Sequence, residues 1–236
     1  MICNDRAIKM IFFDMEGTLF SRNVKLPSGG FSKTIWTAIA EVLGEDALKE
    51  EEETINKWKR QEYKGYLEWM EDTIKIHLKY GLKKDTFESL VKSVEFYKGV
   101  KESFKIFKMK DIKTAILTGG FKQMADRAQK ELNIEYAISS CEYFWNSNGR
   151  LSTWNLVPCY ENGKASFLSL LMDDMKLKRS ECAFIGDAKD DIWPAREVGT
   201  SIAFNGPSEL QEVCSFVINH PEGNEDFQDV LQYLFS

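Results

Sequence analysis

Residues 8–18 read IKMIFFDMEGT, in which a short apolar run ends at a carboxylate, Asp14. Short runs rich in Ile and Phe are typical of the buried strands of parallel sheets. We therefore expect a strand over residues 8–13 that places Asp14 at its carboxyl end.

Two later apolar runs also end in residues that can bind phosphate or metal. Residues 113–117 are followed by Thr118-Gly119-Gly120, and residues 183–186 are followed by Asp187. In open parallel sheets, ligands bind beyond the carboxyl ends of the strands. We therefore expect these residues to share one site with Asp14.

The order of the elements predicts an α/β fold with a Rossmann-like parallel sheet. Helices and strands alternate after Gly99, whereas residues 31–96 show helical periodicity. The predicted domains are an α/β core of residues 1–20 and 97–236 and an inserted helical cap of residues 21–96. Residues 143–158 read as a small β-hairpin, and Asp85-Thr86-Phe87-Glu88 as the capping box of a cap helix.

The residues at the strand ends suit phosphoryl transfer. A carboxylate can attack phosphorus and form an aspartyl phosphate, and Asp14 is the candidate nucleophile. Clustered carboxylates recruit Mg²⁺ through hard oxygen ligands, so Asp14, Glu16, Asp187 and Asp191 are the candidate metal ligands. Lys164, at the start of a predicted helix, can supply positive charge to the transferring oxygens.

The remaining candidates bind phosphate or move a proton. Thr118 and the amides of Gly119 and Gly120 are candidate donors at a helix N-terminus. Glu16 can serve the leaving group as an acid and the attacking water as a base. Taken alone, Thr118-Gly119-Gly120 could be a tight turn and Lys164 a solvated helix residue, but their order along the chain favours a site.

These residues resemble the signature of the haloacid dehalogenase superfamily, which is DxDx[TV], then Thr or Ser, then Lys, then GDxxxD. The matching residues are DMEGT from Asp14, then Thr118, Lys164 and GDAKDD from Gly186. Within the superfamily, IKTAILTGGF at residues 112–121 is similar to the second motif of phosphoserine phosphatases and their relatives. The resemblance implies a Mg²⁺-dependent enzyme with a helical cap that selects the substrate.

Three positions depart from the phosphoserine phosphatase pattern. Glu16 stands where most of these phosphatases have a second Asp, and Asp190 where they usually have Asn. Asn23 stands where they usually have a Glu that binds the substrate's amino group, and no cap Arg for the substrate carboxylate is evident. The sequence therefore predicts a substrate-binding role for Asn23 but not a preference for phosphoserine.

The composition excludes several classes of protein. The net charge of −6 opposes a nucleic-acid binder, and no apolar stretch reaches the length of a membrane span. Charged residues near the N-terminus are unlike a signal peptide, so a cytoplasmic location is the expectation. The five cysteines show no CxxC pair and are interpreted as reduced, mostly buried thiols.

A group of aromatic residues in the cap has two interpretations. It could line a substrate pocket, but aromatic side chains at helical spacing are more often core, which is the interpretation we favour. The residues are Trp58, Tyr63, Tyr66 and Trp69.

The sequence thus predicts a Mg²⁺-dependent phosphatase that hydrolyses a small phosphate monoester through an aspartyl phosphate. One alternative is a phosphotransferase that passes the group from Asp14 to an alcohol. Another is a catalytically idle relative that binds a phosphorylated ligand. The expected partner is a small phosphorylated metabolite, with no nucleic acid and no membrane, and the sequence leaves the oligomeric state open.

Overall fold

The computed structural model describes residues 8–235. Its main sheet has seven strands in the order β6-β5-β4-β1-β7-β8-β9, and a separate ribbon pairs β2 with β3. The strands are β1 Met10–Phe13, β2 Val24–Lys25, β3 Phe31–Ser32, β4 Lys113–Phe121, β5 Tyr136–Trp145, β6 Leu151–Leu156, β7 Cys182–Gly186, β8 Thr200–Phe204 and β9 Phe216–Ile218. This arrangement confirms the predicted α/β fold with a mostly parallel sheet.

Ten α-helices accompany the strands in the described part of the chain. They are α1 Ile35–Leu43, α2 Glu45–Lys59, α3 Tyr66–Lys79, α4 Lys84–Ser93, α5 Val100–Met109, α6 Lys122–Leu132, α7 Asn162–Asp174, α8 Ile192–Ala195, α9 Ser208–Gln211 and α10 Leu231–Leu234. None of the described helices is both long and apolar enough to cross a membrane.

The centre of the sheet is buried on both faces. Every residue of β1 and of β7 is buried, as expected for central strands covered by helices on both sides. β1 pairs in parallel with β4 and with β7, with Met10 opposite Lys113 and Cys182. The carboxyl ends of these three strands therefore lie side by side.

The chain divides into two compact units. The first comprises residues 1–20, 96–139 and 159–236, and the second comprises residues 21–95 and 140–158. The second unit thus contains α1 to α4 together with most of the β5–β6 hairpin, residues that the sequence division left in the core.

Contacts within the second unit explain why the hairpin groups with the helices. The backbone of Lys84 donates to the Gly149 carbonyl over 2.8 Å, and Leu151 donates to Leu82 over 2.9 Å. His77 and the Tyr143 hydroxyl share a hydrogen bond of 2.7 Å.

The expected capping box at Asp85 and Glu88 is wrong. Helix α4 begins two residues earlier than such a box implies, at Lys84, and its cap residue Lys83 makes no side-chain capping bond. The Lys84 amide is satisfied instead by the Gly149 carbonyl, so the local cap is not needed.

The aromatic group of the second unit forms a stack. Trp58 and Trp69 lie parallel with ring centroids 4.7 Å apart, and the ring of Tyr66 meets both edge-on. Trp69 also donates its indole N–H to Thr54 over 3.2 Å. Trp58, Tyr63, Tyr66 and Trp69 are all partly exposed, so the packing and pocket interpretations both remain open.

The cysteines of the described part of the chain are free thiols, as predicted. Cys141, Cys159 and Cys182 are buried, and Cys214 is partly exposed. The fifth, Cys3, and the charged residues Asp5 and Arg6 of the N-terminus lie outside the described residues.

Candidate active site

The candidate residues of the first unit gather at the carboxyl ends of its central strands. Asp14 follows β1, Asp187 follows β7, and Thr118 lies in the last part of β4. The amide of Asp14 donates to the carbonyl of Ile185 over 2.9 Å, which ties the end of β1 to β7. The sheet therefore brings these three side chains to one edge, as the sequence predicts.

Three buried carboxylates form a group that could hold a cation. One oxygen from each of Asp14, Asp187 and Asp191 lies within 4.8 Å of the other two. Carboxylates are the oxygen ligands that Mg²⁺ and Ca²⁺ prefer. This group does not include the Glu16 carboxylate.

Backbone and side-chain hydrogen bonds fix two of these carboxylates. Asp191 Oδ2 accepts from the amides of Asp187 and Ala188 over 2.9 and 3.0 Å. The hydroxyl of Thr18 donates to Asp187 Oδ1 over 2.9 Å. These hydrogen bonds therefore hold the two carboxylates in place.

Lys164 is the positive charge at this site. It lies in the first turn of α7, and its side chain is only 1% exposed. Its ammonium nitrogen is 2.8 Å from Asp14 Oδ1, 2.5 Å from Asp190 Oδ2 and 2.7 Å from Asp191 Oδ1. One lysine thus contacts three buried carboxylates.

Burial dominates the protonation of this cluster. Burial raises the pKa of Asp14 well above its usual range, and nearby Lys164 offsets only part of that rise. Burial likewise raises the pKa of Asp191 to about 7, again against the opposing effect of Lys164. Burial acts to lower the pKa of Lys164, but the attraction of Asp14, Asp190 and Asp191 outweighs it and the pKa is raised. Burial thus opposes ionisation of the two carboxylates, whereas Lys164 favours it.

Thr118, Gly119 and Gly120 are located within β4 rather than at a helix N-terminus. α6 begins at Lys122, so the expectation of a helix N-terminus at the two glycine amides is wrong. The Gly120 amide donates to the Thr118 hydroxyl over 3.0 Å, a tight turn that leaves the hydroxyl hydrogen to donate to an anion.

Glu16 lies close to Gly120. A side-chain carbon at position 120 would lie 3.3 Å from Glu16 Oε2 and 3.0 Å from the end of Met15. The same carbon would lie 3.3 Å from the Thr118 hydroxyl, so the half-buried Glu16 carboxylate and Thr118 both lie near Gly120. Gly17, with φ at 92°, makes the turn that returns the chain after Glu16.

Comparison with known proteins agrees with this geometry. The family model of the haloacid dehalogenase-like hydrolases matches residues 8–199, most of the chain. The chain belongs to this family. The resemblance given by the four sequence motifs is thereby confirmed.

Several haloacid dehalogenase relatives are similar over nearly the whole chain. A probable phosphoserine phosphatase of Schizosaccharomyces pombe is 24% identical over 90% of this chain and 66% of its own length. A phosphoserine phosphatase of Methanocaldococcus jannaschii is 22% identical over 98% of this chain and 99% of its own length. The chain spans between 56% and 66% of three longer relatives, from S. pombe, Archaeoglobus fulgidus and Saccharomyces cerevisiae.

Solved structures share the haloacid dehalogenase fold. A phospho-aspartyl intermediate analogue of phosphoserine phosphatase superposes with a TM-score of 0.77 at 19% identity, over 97% of this chain and 99% of its own. A substrate-bound phosphoserine phosphatase complex gives the same TM-score at 18% identity, over 96% and 98% of the two chains.

Sequence reasoning assigned no role of their own to two residues of this candidate site, Thr18 and Asp190. Thr18 orients Asp187, and its place as the last residue of the first motif was the available signal. Asp190 contacts Lys164, and no feature of the sequence alone pairs two residues that are 26 positions apart. Asn23 belongs to the second unit and is exposed just before β2, and its role in substrate binding stays a prediction.

Proposed function

We propose that this chain is a Mg²⁺-dependent phosphatase that hydrolyses a small phosphate monoester through an aspartyl phosphate on Asp14. The observation that carries the proposal is the group formed by Asp14, Asp187 and Asp191 at the carboxyl edge of the sheet, two of which also contact buried Lys164. Membership of a hydrolase family and the names of the relatives support it.

The donor set fits Mg²⁺. Oxygen ligands at about 2.1 Å from a common ion lie about 3 to 4 Å apart, close to the spacing of the Asp14, Asp187 and Asp191 oxygens, which is at most 4.8 Å. Four buried carboxylates, those three and Asp190, carry more negative charge than buried Lys164 balances, and three of the four contact it. When bound, Mg²⁺ would neutralise this excess charge and polarise the phosphoryl group.

The first chemical step forms the phosphoenzyme. A carboxylate oxygen of Asp14 attacks phosphorus, the bond from phosphorus to the ester oxygen breaks, and the leaving alcohol takes a proton from Glu16. Lys164 and the hydroxyl of Thr118 stabilise the charge on the transferring oxygens.

The second step regenerates the enzyme. Water attacks the phosphorus of the aspartyl phosphate and gives a proton to the Glu16 carboxylate. The bond between phosphorus and Asp14 breaks, which releases inorganic phosphate and restores the free carboxylate. Glu16 is then protonated again for the next cycle.

The substrate we propose is a small phosphorylated metabolite. The relatives are named phosphoserine phosphatases, which supports a compact organic phosphate. Asn23 offers a neutral amide where a carboxylate would hold an ammonium group, and charge-assisted hydrogen bonds are about twice as strong as neutral ones. We therefore expect phosphoserine not to be the best substrate, and Asn23 to contact the leaving group.

The central experiment is an assay with an aryl phosphate in Mg²⁺ and in excess chelator. We expect turnover only with Mg²⁺, and none from Asp14→Asn, because an amide does not attack phosphorus usefully. Asp174→Asn, an exposed change in α7, is the matched control and should keep full activity. Turnover by pure, folded Asp14→Asn, or full activity in chelator, would contradict the proposal.

Two extensions define the substrate and the acceptor. A panel of phosphorylated metabolites that includes phosphoserine tests the expected preference, and a kcat/KM for phosphoserine well above all others would contradict it. Adding an acceptor alcohol and analysing the products separates hydrolysis, which we expect, from transfer to the alcohol.

A further inference from the structure

Carboxylates enclose the ammonium group of Lys164. Its nitrogen lies 2.8 Å from Asp14, 2.7 Å from Asp191 and 2.5 Å from Asp190. A lysine ammonium has three N–H donors and accepts nothing. Two of these N–H groups donate to Asp14 and Asp191, and Asp190 lies against the ammonium as an ion-pair partner, so a phosphoryl oxygen that binds Lys164 competes with these carboxylates.

The three carboxylates differ in how firmly they are held. Asp191 accepts two backbone hydrogen bonds, from Asp187 and Ala188, in addition to that from Lys164. Asp14 is fixed by its position at the end of β1 and, in the proposed function, reacts with phosphorus. Asp191 and Asp14 are therefore the carboxylates least able to move away from Lys164.

The Asp190 carboxylate has fewer hydrogen bonds than that of Asp191. Among the described residues its carboxylate receives no hydrogen bond from a backbone amide, and its contact with Lys164 is an ion pair. It also stands outside the group of carboxylates that could share a metal ion. Asp190 is therefore the carboxylate that can yield Lys164 to an incoming anion.

We propose that Asp190 competes with the phosphoryl oxygens of substrate and product for Lys164, and so weakens the binding of phosphate. This inference rests on the proposed phosphatase function. An anionic acceptor holds the ammonium more strongly than a neutral one, and its negative charge also repels the bound phosphate. As inorganic phosphate leaves, Lys164 returns to Asp190, which favours product release.

The test is the affinity of the protein for inorganic phosphate in the presence of Mg²⁺, measured by isothermal titration calorimetry. Asp190→Asn preserves the size of the side chain and removes its charge. We expect phosphate to bind about tenfold more tightly to Asp190→Asn than to the wild type, because the competitor becomes neutral. Asp190→Glu restores the charge and should bind phosphate more weakly than Asp190→Asn, and Asp174→Asn should match the wild type.

Steady-state kinetics give a second readout. Product inhibition by phosphate should become stronger in Asp190→Asn, and KM should fall with the phosphate Kd. A merely structural role predicts the opposite sign, because damage to the site loosens binding. Asp190→Ala, which also removes the charge, has the same expected direction and covers failure of the Asn variant to fold.

The outcomes separate this inference from the proposed function. An unchanged or higher phosphate Kd in folded Asp190→Asn, beside a wild type that hydrolyses monoesters, overturns the inference alone. A wild type that neither binds phosphate nor hydrolyses any monoester overturns both.

Discussion

Glu16 brings a carboxylate to the loop after β1 on a longer side chain than aspartate would. The extra methylene extends its reach by about 1.5 Å, the length of one carbon–carbon bond. The structure accommodates this reach beside Gly120, where any side chain would approach Glu16 Oε2 to 3.3 Å. The absence of a side chain at Gly120 therefore makes room for the Glu16 carboxylate, and an aspartate at position 16 would not fill that space.

The acid-base assignment of Glu16 predicts a graded loss of activity. Assistance by a positioned acid or base is worth about 10² to 10⁴ in rate, so Glu16→Ala should slow turnover by that order and Glu16→Asp by less. The loss should be larger for an alkyl phosphate, whose leaving group needs a proton, than for an aryl phosphate. kcat for both esters in both variants checks this.

A second measurement follows the phosphoenzyme of the Glu16 variants. The attacking water loses its base in Glu16→Ala, so phosphorylated Asp14 should accumulate and be trapped by rapid acid quenching. Full activity of Glu16→Ala on the alkyl ester would remove Glu16 from the acid-base role.

At the scale of elements, the end of β7 and the short turn after it act as one unit. Gly186 closes the strand, and Asp191 folds back to accept from the amides of Asp187 and Ala188. A side-chain carbon on Gly186 would meet Asp191 atoms closer than van der Waals contact allows, at 2.5 Å for Cγ and 2.8 Å for Cβ. The missing side chain is therefore what lets Asp191 reach both the amides and Lys164.

We predict that Gly186→Ala damages both stability and the site. Asp191 must move, which breaks two backbone hydrogen bonds and leaves buried Lys164 short of a partner. Each lost bond to a charged group costs about 1.5 to 3 kcal/mol, so the free energy of unfolding should fall by a few kcal/mol. Chemical denaturation and the aryl phosphate assay measure the two losses.

Gly65→Ala provides the matched control for Gly186→Ala. Nothing lies within 4 Å of a side-chain carbon at Gly65, and its φ of 172° is extended backbone that any residue adopts. It should leave activity unchanged. A Gly186→Ala variant as stable and active as Gly65→Ala would show that Asp191 need not be held in this way.

Strands whose residues are all buried were the most predictable elements. β7 differs by one residue from the predicted run of residues 183–186, because its apolar run has sharp ends. The predicted hairpin of residues 143–158 is longer in the structure, because its first strand, β5, begins at Tyr136. The second half of β5 contains Ser140 and Glu142 and is stabilised by antiparallel pairing with β6, which local hydrophobicity does not reveal.

Prediction of the site residues also depended on their distance along the chain from a strand end. Residues next to a strand end, such as Asp14 and Asp187, could be predicted because the sheet itself brings strand ends together. The contact between Lys164 and Asp190 could not, because it depends on how α7 packs beside the turn after β7.

At the scale of the whole molecule, two buried ionisable groups of the second unit make stability depend on pH. Glu51 of α2 is 2% exposed, and burial, followed by repulsion from Glu41 and Glu52, raises its pKa to about 7. His77 of α3 is fully buried, and burial lowers its pKa to about 3. Both groups favour the neutral form in the folded protein.

The two groups change the free energy of unfolding in opposite directions as pH rises. Glu51 binds its proton more tightly when folded, so it costs nothing well below pH 4.5 and destabilises increasingly as pH rises from about 4.5 to 7. His77 binds its proton less tightly when folded, so it destabilises as pH falls from about 6.5 towards 3. The two effects together favour an optimum at intermediate pH.

We predict that Glu51→Gln stabilises the protein, and does so more at pH 8 than at pH 5. Glutamine is close in shape to protonated glutamate but cannot ionise, so it removes the penalty that grows between these pH values. One pKa unit corresponds to about 1.4 kcal/mol, so the gain in unfolding free energy should be about 2 to 3 kcal/mol larger at pH 8.

Denaturation followed by tryptophan fluorescence suits the measurement, because the second unit holds five of the six tryptophans, Trp36, Trp58, Trp69, Trp145 and Trp154. Glu45→Gln, an exposed change in the same helix, is the control and should show no such dependence. A gain for Glu51→Gln that is equal at the two pH values would mean that Glu51 ionises as readily in the folded protein as in the unfolded chain.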